Sequence, residues 1–170
     1  MANYYVFVST WDDEDRDDFY LNTQLKDRKL SIGWGDLNPI NKTEREIKRL
    51  IELFYPNFAG TNNPANGAKS LSTFAHLSPG DVVFVRGIAK IIDVVLITEK
   101  PYFDSTGHYK EDFYFKVSFV PLFESGRVVL ETRNIPEPIY SDVLFAEGRS
   151  LVIRKLDENV AKTLFLSVFH

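Results

Sequence analysis

The sequence predicts an α+β fold in which a curled, mostly antiparallel sheet or small barrel of about six strands is flanked by helices. Three observations predict it. Apolar alternation typical of strands clusters in the middle of the chain, helical periodicity appears early and late, and the strands do not alternate with helices as they do in βαβ folds. With 170 residues, the chain fits a single domain spanning 1–170 whose core is large enough to need no disulfides.

The first half of the chain carries one strand signal and two helix signals. Residues 4–10 are β-branched and aromatic, which predicts a first strand. The segment T-E-R-E at 43–46 is a capping box followed by apolar residues at helical spacing, so an amphipathic helix is predicted over 43–55. A second helix is predicted over 64–77, with a proline in its first turn, and S-P-G-D at 78–81 predicts a tight turn.

The second half of the chain is rich in strands. Later strands are predicted at 82–86, 88–98, 112–122, 128–131 and 151–153. Ser125-Gly126 predicts a hairpin turn, and Asp157 is placed to cap a final helix. The sequence after that helix contains no glycine or proline that would end it before the chain stops. This predicts that the chain is one part of a longer protein.

The composition excludes several classes of protein. Cysteine is absent, so disulfide frameworks, thiolate zinc sites and cysteine nucleophiles are excluded. No apolar run approaches the roughly 20 residues of a transmembrane helix. The N-terminal residues lack the basic segment of a secretory signal. We therefore expect a cytoplasmic protein that does not act at a membrane.

Charge is unevenly distributed along the chain. The formal net charge is −4, yet residues 12–18 alone hold six acidic residues and one basic residue. Residues 26–49 hold seven basic and four acidic residues, a net charge of +3 (7 − 4). A local basic face is therefore predicted despite the acidic total. The candidate contacts to a nucleic-acid backbone are Lys26, Arg28, Lys29 and Arg86.

Motifs of catalysis are sparse. The sequence has no G-x-S-x-G element and no phosphate-binding loop, and its three histidines lack the spacing of metal ligands. Asp93, Glu99 and Lys100 come nearest to the carboxylates and lysine of a metal-dependent nuclease, but a surface ion pair is the simpler interpretation. We expect a protein that is not an enzyme and that holds neither a metal nor a cofactor.

Aromatic residues are the most informative feature of the composition. They make up 14% of the chain, and several lie in predicted loops, where they act either as lids over the core or as walls of a binding pocket. Aromatic walls hold unstacked bases, and a few polar groups then read the edge of the base. The aromatic candidates are Trp11, Trp34, Tyr102, Phe103 and Tyr109. The polar candidates are Thr10, Asp15, Ser31 and Asn38.

Four segments of the sequence carry a resemblance to a known family. They are Y-V-F-V-S-T-W-D-D-E-D at 5–15, I-G-W at 32–34, L-S-P-G-D-V-V at 77–83 and Y-K-E-D-F followed by K-V-S-F-V within 109–120. The first resembles the opening of YTH domains, the second their G-V-W segment and the fourth their W-K-G-x-F…V-x-W spacing. The third is similar to the K-P-G-D turn of EVE domains. The chain therefore resembles the YTH and EVE domains of the PUA-like superfamily, which read modified bases.

The resemblance implies a flipped modified base held in an aromatic cage, with Trp34 and Tyr109 as walls. It implies methylated DNA as the partner, with N6-methyladenine as the base. Modified cytosine such as 5-methylcytosine, and N6-methyladenosine in RNA, are the alternatives. Such domains also occur as N-terminal specificity modules of McrB-type restriction GTPases, which implies a GTPase motor and a nuclease subunit as partners. A nuclease, and a protein-interaction domain with aromatic hot spots, are the hypotheses from other classes.

Overall fold

The described residues form an α+β fold, as the sequence predicts. The structure, a computed structural model, describes residues 2–9, 16–34, 37–87, 89–104, 114–123, 130–143 and 152–168. The strands are β1 (Tyr4–Val8), β2 (Lys29–Ile32), β3 (Val82–Arg86), β4 (Lys90–Ile97), β5 (Tyr102–Phe103), β6 (Phe115–Pro121), β7 (Leu130–Glu131) and β8 (Ile153–Leu156). The helices are α1 (Arg16–Phe19), α2 (Leu25–Asp27), α3 (Glu44–Phe54), α4 (Asn63–Ala75), α5 (Glu137–Val143) and α6 (Glu158–Val168). Within these ranges no helix has the length and apolar character needed to cross a membrane.

One curled sheet organises the fold. Its strands lie in the order β2-β6-β4-β3-β1-β8, with β5 added beside β6 and β7 beside β4. Among the described strands the β1–β3 pair is parallel, and the six other pairs are antiparallel. The prediction of a curled, mostly antiparallel sheet of about six strands is confirmed.

Two apolar clusters cover the two sides of the sheet. The larger, called the inner core here, receives side chains from β2 and β8 at the two ends of the strand order, so the sheet curls around it. Helices α3 and α4 pack on this side, through Ile51 and Phe74 among others. The smaller cluster, the outer core, lies between the other side of β1, β3 and β4 and the helices α5 and α6. Helices therefore flank the sheet on both sides.

The two helices of the inner core begin where the sequence predicts. Thr43 Oγ1 accepts a hydrogen bond from the Glu46 amide at 3.1 Å, and the Glu46 carboxylate accepts one from the Thr43 amide at 3.0 Å. This capping box satisfies two amides that the first turn of α3 would otherwise leave without partners. Pro64 occupies the first turn of α4, and Phe74 is buried in it, whereas Ala75 is only partly buried.

The turn from α4 to β3 also matches its prediction. The Asp81 amide donates to the Ser78 carbonyl at 3.0 Å, and the Asp81 carboxylate accepts from the amides of Ser78 at 2.9 Å and Asn3 at 3.0 Å. Gly80 has a φ of 94°, a conformation that residues with a Cβ rarely adopt. The turn therefore joins the beginnings of the parallel strands β1 and β3.

Three elements differ from the sequence-based expectation. Residues 16–27, which carry no predicted helix or strand, form α1, a π-helical turn (Tyr20–Gln24) and α2. Burial of Phe19, Tyr20 and Gln24 against the sheet stabilises this segment despite its polar sequence. Tyr102–Phe103, expected in a loop, form β5 because they pair with β6. Helix α5 has no counterpart among the predicted elements.

Candidate binding site on the outer face of the sheet

Strand β6 carries a row of polar side chains on the side of the sheet that faces away from the inner core. Phe115, Val117 and Phe119 enter the inner core, so the alternation of a strand directs Lys116 and Ser118 to the opposite side. Neighbouring strands add residues in register. Ser31 of β2 and Tyr102 of β5 lie opposite Lys116, and Lys29 of β2 lies opposite Ser118. We call Lys29, Ser31, Tyr102, Lys116 and Ser118 the polar face.

The backbone pairing of β2 with β6 brings the side chains of the polar face close together. The Phe119 amide donates to the Arg28 carbonyl at 3.0 Å, so this pair is hydrogen-bonded. Hydrogen-bonded and non-hydrogen-bonded pairs alternate in antiparallel strands, and the side chains are closer at the second kind. Ser31–Lys116 and Lys29–Ser118 fall at such non-hydrogen-bonded positions. In the latter pair the Lys29 ammonium donates to Ser118 Oγ at 2.5 Å.

Two lysines and the carboxylates near them set the electrostatics of the polar face. The Lys29 ammonium lies 5.6 Å from the centroid of the Tyr102 ring, within the range of a cation–π contact. Lys116 is only 3% exposed, and its Nζ lies 4.0 Å from the Asp104 carboxylate. Burial lowers the pKa of Lys116, and the charge of Asp104 opposes that shift. Burial also raises the pKa of Tyr102, as do the charges of Asp104 and Glu99.

A buried glutamine connects the polar face to the end of β1. The Ser9 hydroxyl donates to Gln24 Oε1 at 2.6 Å, and Gln24 Nε2 donates to Ser31 Oγ at 3.1 Å. Ser9, Gln24 and Ser31 are all buried. Ser9 is the last described residue before Thr10 and Trp11, so this hydrogen-bond chain links the polar face to the segment in which pocket residues are predicted.

Trp34 lies away from the polar face, in an aromatic cluster beside the inner core. Its ring meets those of Tyr55 and Phe58 edge-on, with centroids 5.3 and 5.8 Å apart, and the Tyr55 and Phe58 centroids are 6.3 Å apart. These are the distances of rings in direct contact, so no base fits between them in this arrangement. A Cβ on Gly67 would lie 2.6 Å from Trp34 Cζ2, which shows that the indole rests on the backbone of α4. Trp34 also has a φ of 103°, a conformation that strains a residue with a bulky side chain.

The remaining described pocket candidates lie apart from the polar face. Phe103 is partly buried against the inner core and meets the Tyr114 ring edge-on at 5.9 Å, because alternation in β5 directs it opposite to Tyr102. Asn38 is exposed in a turn, where its side chain accepts from the Ile40 amide at 3.1 Å. The structure therefore brings Tyr102 and Ser31 together and leaves Trp34, Phe103 and Asn38 elsewhere.

The four predicted backbone contacts occupy different environments. Lys26 and Arg28 are exposed, although the Arg28 guanidinium donates to the Leu25 carbonyl at 2.8 Å. Lys29 is partly buried on the polar face. Arg86 is 0% exposed. A surface phosphate cannot reach a fully buried guanidinium, so the expected phosphate contact of Arg86 does not fit this structure.

Several predicted features lie outside the described residues. Four of them are the pocket candidates Thr10, Trp11, Asp15 and Tyr109. The predicted hairpin turn Ser125-Gly126 also lies there. These assignments stay predictions.

The nuclease-like residues do not come together. The Asp93 carboxylate is buried and accepts from the Tyr20 hydroxyl at 2.6 Å and from the Val94 amide at 2.9 Å. From Asp93 to the end of β4 the strand extends for about 13 Å, and Glu99 lies beyond that end and is exposed. Within the described ranges no group of three histidine, aspartate or glutamate residues is placed to hold a metal ion.

Two members of the polar face, Lys116 and Ser118, and the buried Gln24 beside it were not among the residues predicted from the sequence. Lys116 had a usable signal, since it falls between apolar residues of a strand predicted over 112–122 and so had to lie on the face opposite to them. Gln24 had none, because it lies in a polar stretch whose helical conformation depends on packing against the sheet.

Comparison with known proteins identifies the fold alone. No family model matches the chain, and no curated protein matches it. The NMR structure of Rpa0253 from Rhodopseudomonas palustris is similar with a TM-score of 0.54 and 11% identity, over 99% of this chain and 94% of that one. The crystal structure of Atu2648 from Agrobacterium tumefaciens has a TM-score of 0.52 and 9% identity, over 98% and 93% of the two chains. A crystal structure from Pseudomonas putida has a TM-score of 0.54 and 11% identity, over 97% and 99%.

Proposed function

We propose that this chain is a non-catalytic DNA-binding module that holds a flipped, modified base on its polar face, and that N6-methyladenine is the base. One observation carries the proposal. Ser31, Lys116 and Tyr102 lie in register across three adjacent strands, so an aromatic ring stands beside hydrogen-bond donors on one face of the sheet. Tyr102 and Lys29 are the partly exposed members of this face, and a base would reach it through them. A ring to stack on and directed polar groups at the base edge are what an extruded base requires.

The charges around the polar face favour a base over a phosphate as the bound group. Asp104 and Asp27 act on Lys116, and Asp104 and Glu99 act on Tyr102. These carboxylates offset the charges of Lys29 and Lys116, so the polar face itself attracts a polyanion only weakly. In this proposal the exposed Lys26 and Arg28 supply the contacts to the DNA backbone, and few phosphates are neutralised.

The methyl group itself limits the selectivity. Burying one methyl group is worth about 0.8 kcal/mol, or roughly fourfold in affinity. A larger preference requires that the unmethylated base leave a poorly packed space in the pocket. The resemblance to modules of McrB-type restriction GTPases supports the further proposal that this module directs a GTPase motor and a nuclease subunit to methylated DNA.

Fluorescence anisotropy with four labelled probes tests the proposed function. The probes share one sequence and carry N6-methyladenine, adenine, 5-methylcytosine in DNA, or N6-methyladenosine in RNA. We expect the N6-methyladenine duplex to bind at least about fourfold more tightly than the unmodified duplex. The preference should persist as salt rises, because it rests on apolar contact, while each phosphate contact adds about −0.9 to the slope of log affinity against log salt.

Each other outcome of this panel identifies a different function. Preference for the 5-methylcytosine or the RNA probe would replace the proposed base by one of the alternatives. Equal binding of all probes with a slope near −8, about nine phosphate contacts, would show that charge carries the recognition. Cleavage of labelled DNA in the presence of magnesium would contradict the non-catalytic assignment.

A further inference from the structure

Helix α3 carries an exposed apolar patch in its last two turns. Leu53 is 71% exposed and Phe54 is 51% exposed. Leu50, which is partly buried, lies three and four residues before them, so the three side chains are neighbours on the helix surface. Single exposed apolar residues are ordinary, whereas contiguous ones mark surfaces that bind another molecule. We call Leu50, Leu53 and Phe54 the α3 patch.

Charged residues of both signs border the α3 patch. Helix α3 contains three acidic and three basic residues. Arg49 is exposed one turn before Leu53, and Glu52 is partly exposed three residues after Arg49. That spacing allows an ion pair within the helix, yet neither residue forms one in the described part of the chain. Both charges are therefore open to a partner that covers the patch.

The pattern of charge favours a second copy of the chain as that partner. The charge of α3 is zero (3 − 3), so the helix does not attract a polyanion such as DNA. A partner with charges of one sign would meet either Arg49 or Glu52 with a like charge, which disfavours binding. A second copy of α3 in antiparallel orientation avoids this conflict, because a two-fold axis brings each charge of one copy to the opposite charge of the other.

The register of such a pair follows from the spacing of the residues. When Leu50 lies beside Leu53 of the second copy, Arg49 lies within one turn of Glu52 of the second copy. The two-fold axis repeats both contacts, so apolar residues form the centre and two ion pairs lie at the rim. This is the usual arrangement of a protein interface.

We infer that the α3 patch is a self-association surface, through which two copies of this chain pair their α3 helices in antiparallel orientation about a two-fold axis. Helix α3 packs on the inner-core side of the sheet, and the polar face lies on the opposite side. The dimer therefore does not cover the polar face. One pair of helices makes a small interface, so the association is weak and reversible.

Sedimentation equilibrium of the full chain measures the self-association. We expect the average mass of wild-type protein to rise from that of one chain toward that of two as its concentration passes from micromolar to millimolar. Leu53→Glu should shift this rise to at least about tenfold higher concentration, because it places a charge at the centre of the interface. Leu166→Glu is the matched control, since it makes the same change at a leucine of α6 that is 64% exposed. It should associate as wild type does.

Exchange of the two charges tests the antiparallel arrangement. Arg49→Glu and Glu52→Arg each replace both ion pairs by like charges, so each should weaken the dimer about tenfold. The double variant restores opposite charges and should recover the association of wild type. An equimolar mixture of the two single variants should form a mixed dimer, because one chain then carries two acidic residues at these positions and the other carries two basic residues.

Several results would overturn the inference. Wild-type protein that keeps the mass of one chain at millimolar concentration has no such surface. Loss of association in Leu166→Glu but not in Leu53→Glu would assign the interface to α6. A mixture of the two single variants that associates no better than either variant alone would contradict the antiparallel pairing. If Leu53→Glu does not fold, as judged by circular dichroism, the exchange of charges still decides.

Discussion

Two aromatic regions that the sequence places in one predicted pocket lie on different sides of the sheet. Trp34 contacts Tyr55, Phe58 and the backbone of Gly67, and these contacts are those of a packed apolar cluster. Tyr102 lies on the outer face, where it contacts the Lys29 ammonium and pairs with Lys116 across strands β5 and β6. The first region is an apolar cluster packed beside the inner core, and the second carries polar and charged side chains.

The difference shows that the loop position of an aromatic residue in the sequence does not indicate whether its neighbours in space are apolar or charged. Trp34 lies two residues after the end of β2 and packs over α4, where its neighbours are apolar. Tyr102 and Phe103 are adjacent in sequence, yet β5 directs one to the polar face and the other to the inner core. Sequence proximity therefore groups residues that the strand alternation separates.

The largest expected effect comes from breaking the Trp34 cluster. We predict that Trp34→Ala lowers the free energy of unfolding by about 3 kcal/mol, at the low end for a large aromatic in a core because Trp34 is only partly buried. Urea unfolding followed by circular dichroism measures it, with Trp34→Phe as a control that keeps most of the packing. An unchanged urea midpoint for Trp34→Ala, together with lost preference for methylated DNA, would return Trp34 to the role of a cage wall.

A smaller effect of opposite sign is expected on the polar face. We predict that Lys116→Met stabilises the protein by about 1 kcal/mol at pH 7, because burial disfavours the Lys116 ammonium even with Asp104 beside it, and an apolar side chain of similar length removes that cost. The pKa of Lys116 is lowered in the folded state, so between that pKa and its ordinary value of 10.5 the unfolded state holds the extra proton. The Lys116 contribution to stability therefore rises with pH over this range, and the advantage of Lys116→Met should shrink.

Urea unfolding of both proteins at pH 7 and at pH 10 measures this difference. Lys29→Met is the matched control, because Lys29 lies on the same face but is less completely buried than Lys116. If Lys116→Met is less stable than wild type at both values of pH, Lys116 contributes a net favourable interaction. The buried lysine would then raise the free energy of unfolding instead of lowering it.

Local signals in the sequence were sufficient for part of the fold. The capping box at Thr43 and Glu46 and the proline that opens α4 act within one turn, so the sequence located both helices. Strand β5 depends on pairing with β6, and the helical conformation of 16–27 depends on burial of Tyr20 and Gln24, so neither has a local signal. The residues of the candidate site were likewise predicted only in part.

Two of the described pocket candidates, Ser31 and Tyr102, do lie together, but only the register with Lys116 shows it. The sequence could not predict the burial of Arg86 either, because arginine side chains are mostly exposed in folded proteins. The partner of a side chain across a sheet is a property of tertiary structure. The residue types of the sequence predict a base-binding chemistry, but they do not show that Trp34, Phe103 and Asn38 lie apart from Ser31 and Tyr102.

The central claim is that the polar face, and not the Trp34 cluster, holds the base, and a pair of matched variants tests it most directly. Tyr102→Leu and Phe58→Leu each replace one partly buried ring by an aliphatic side chain, on the two different sides of the sheet. Affinity for the N6-methyladenine duplex is measured by fluorescence anisotropy, with urea unfolding of each variant alongside. We predict that Tyr102→Leu binds about tenfold more weakly, the effect of losing one base–aromatic stack, while Phe58→Leu binds as wild type does. Loss of binding in Phe58→Leu with full binding in Tyr102→Leu would contradict the account.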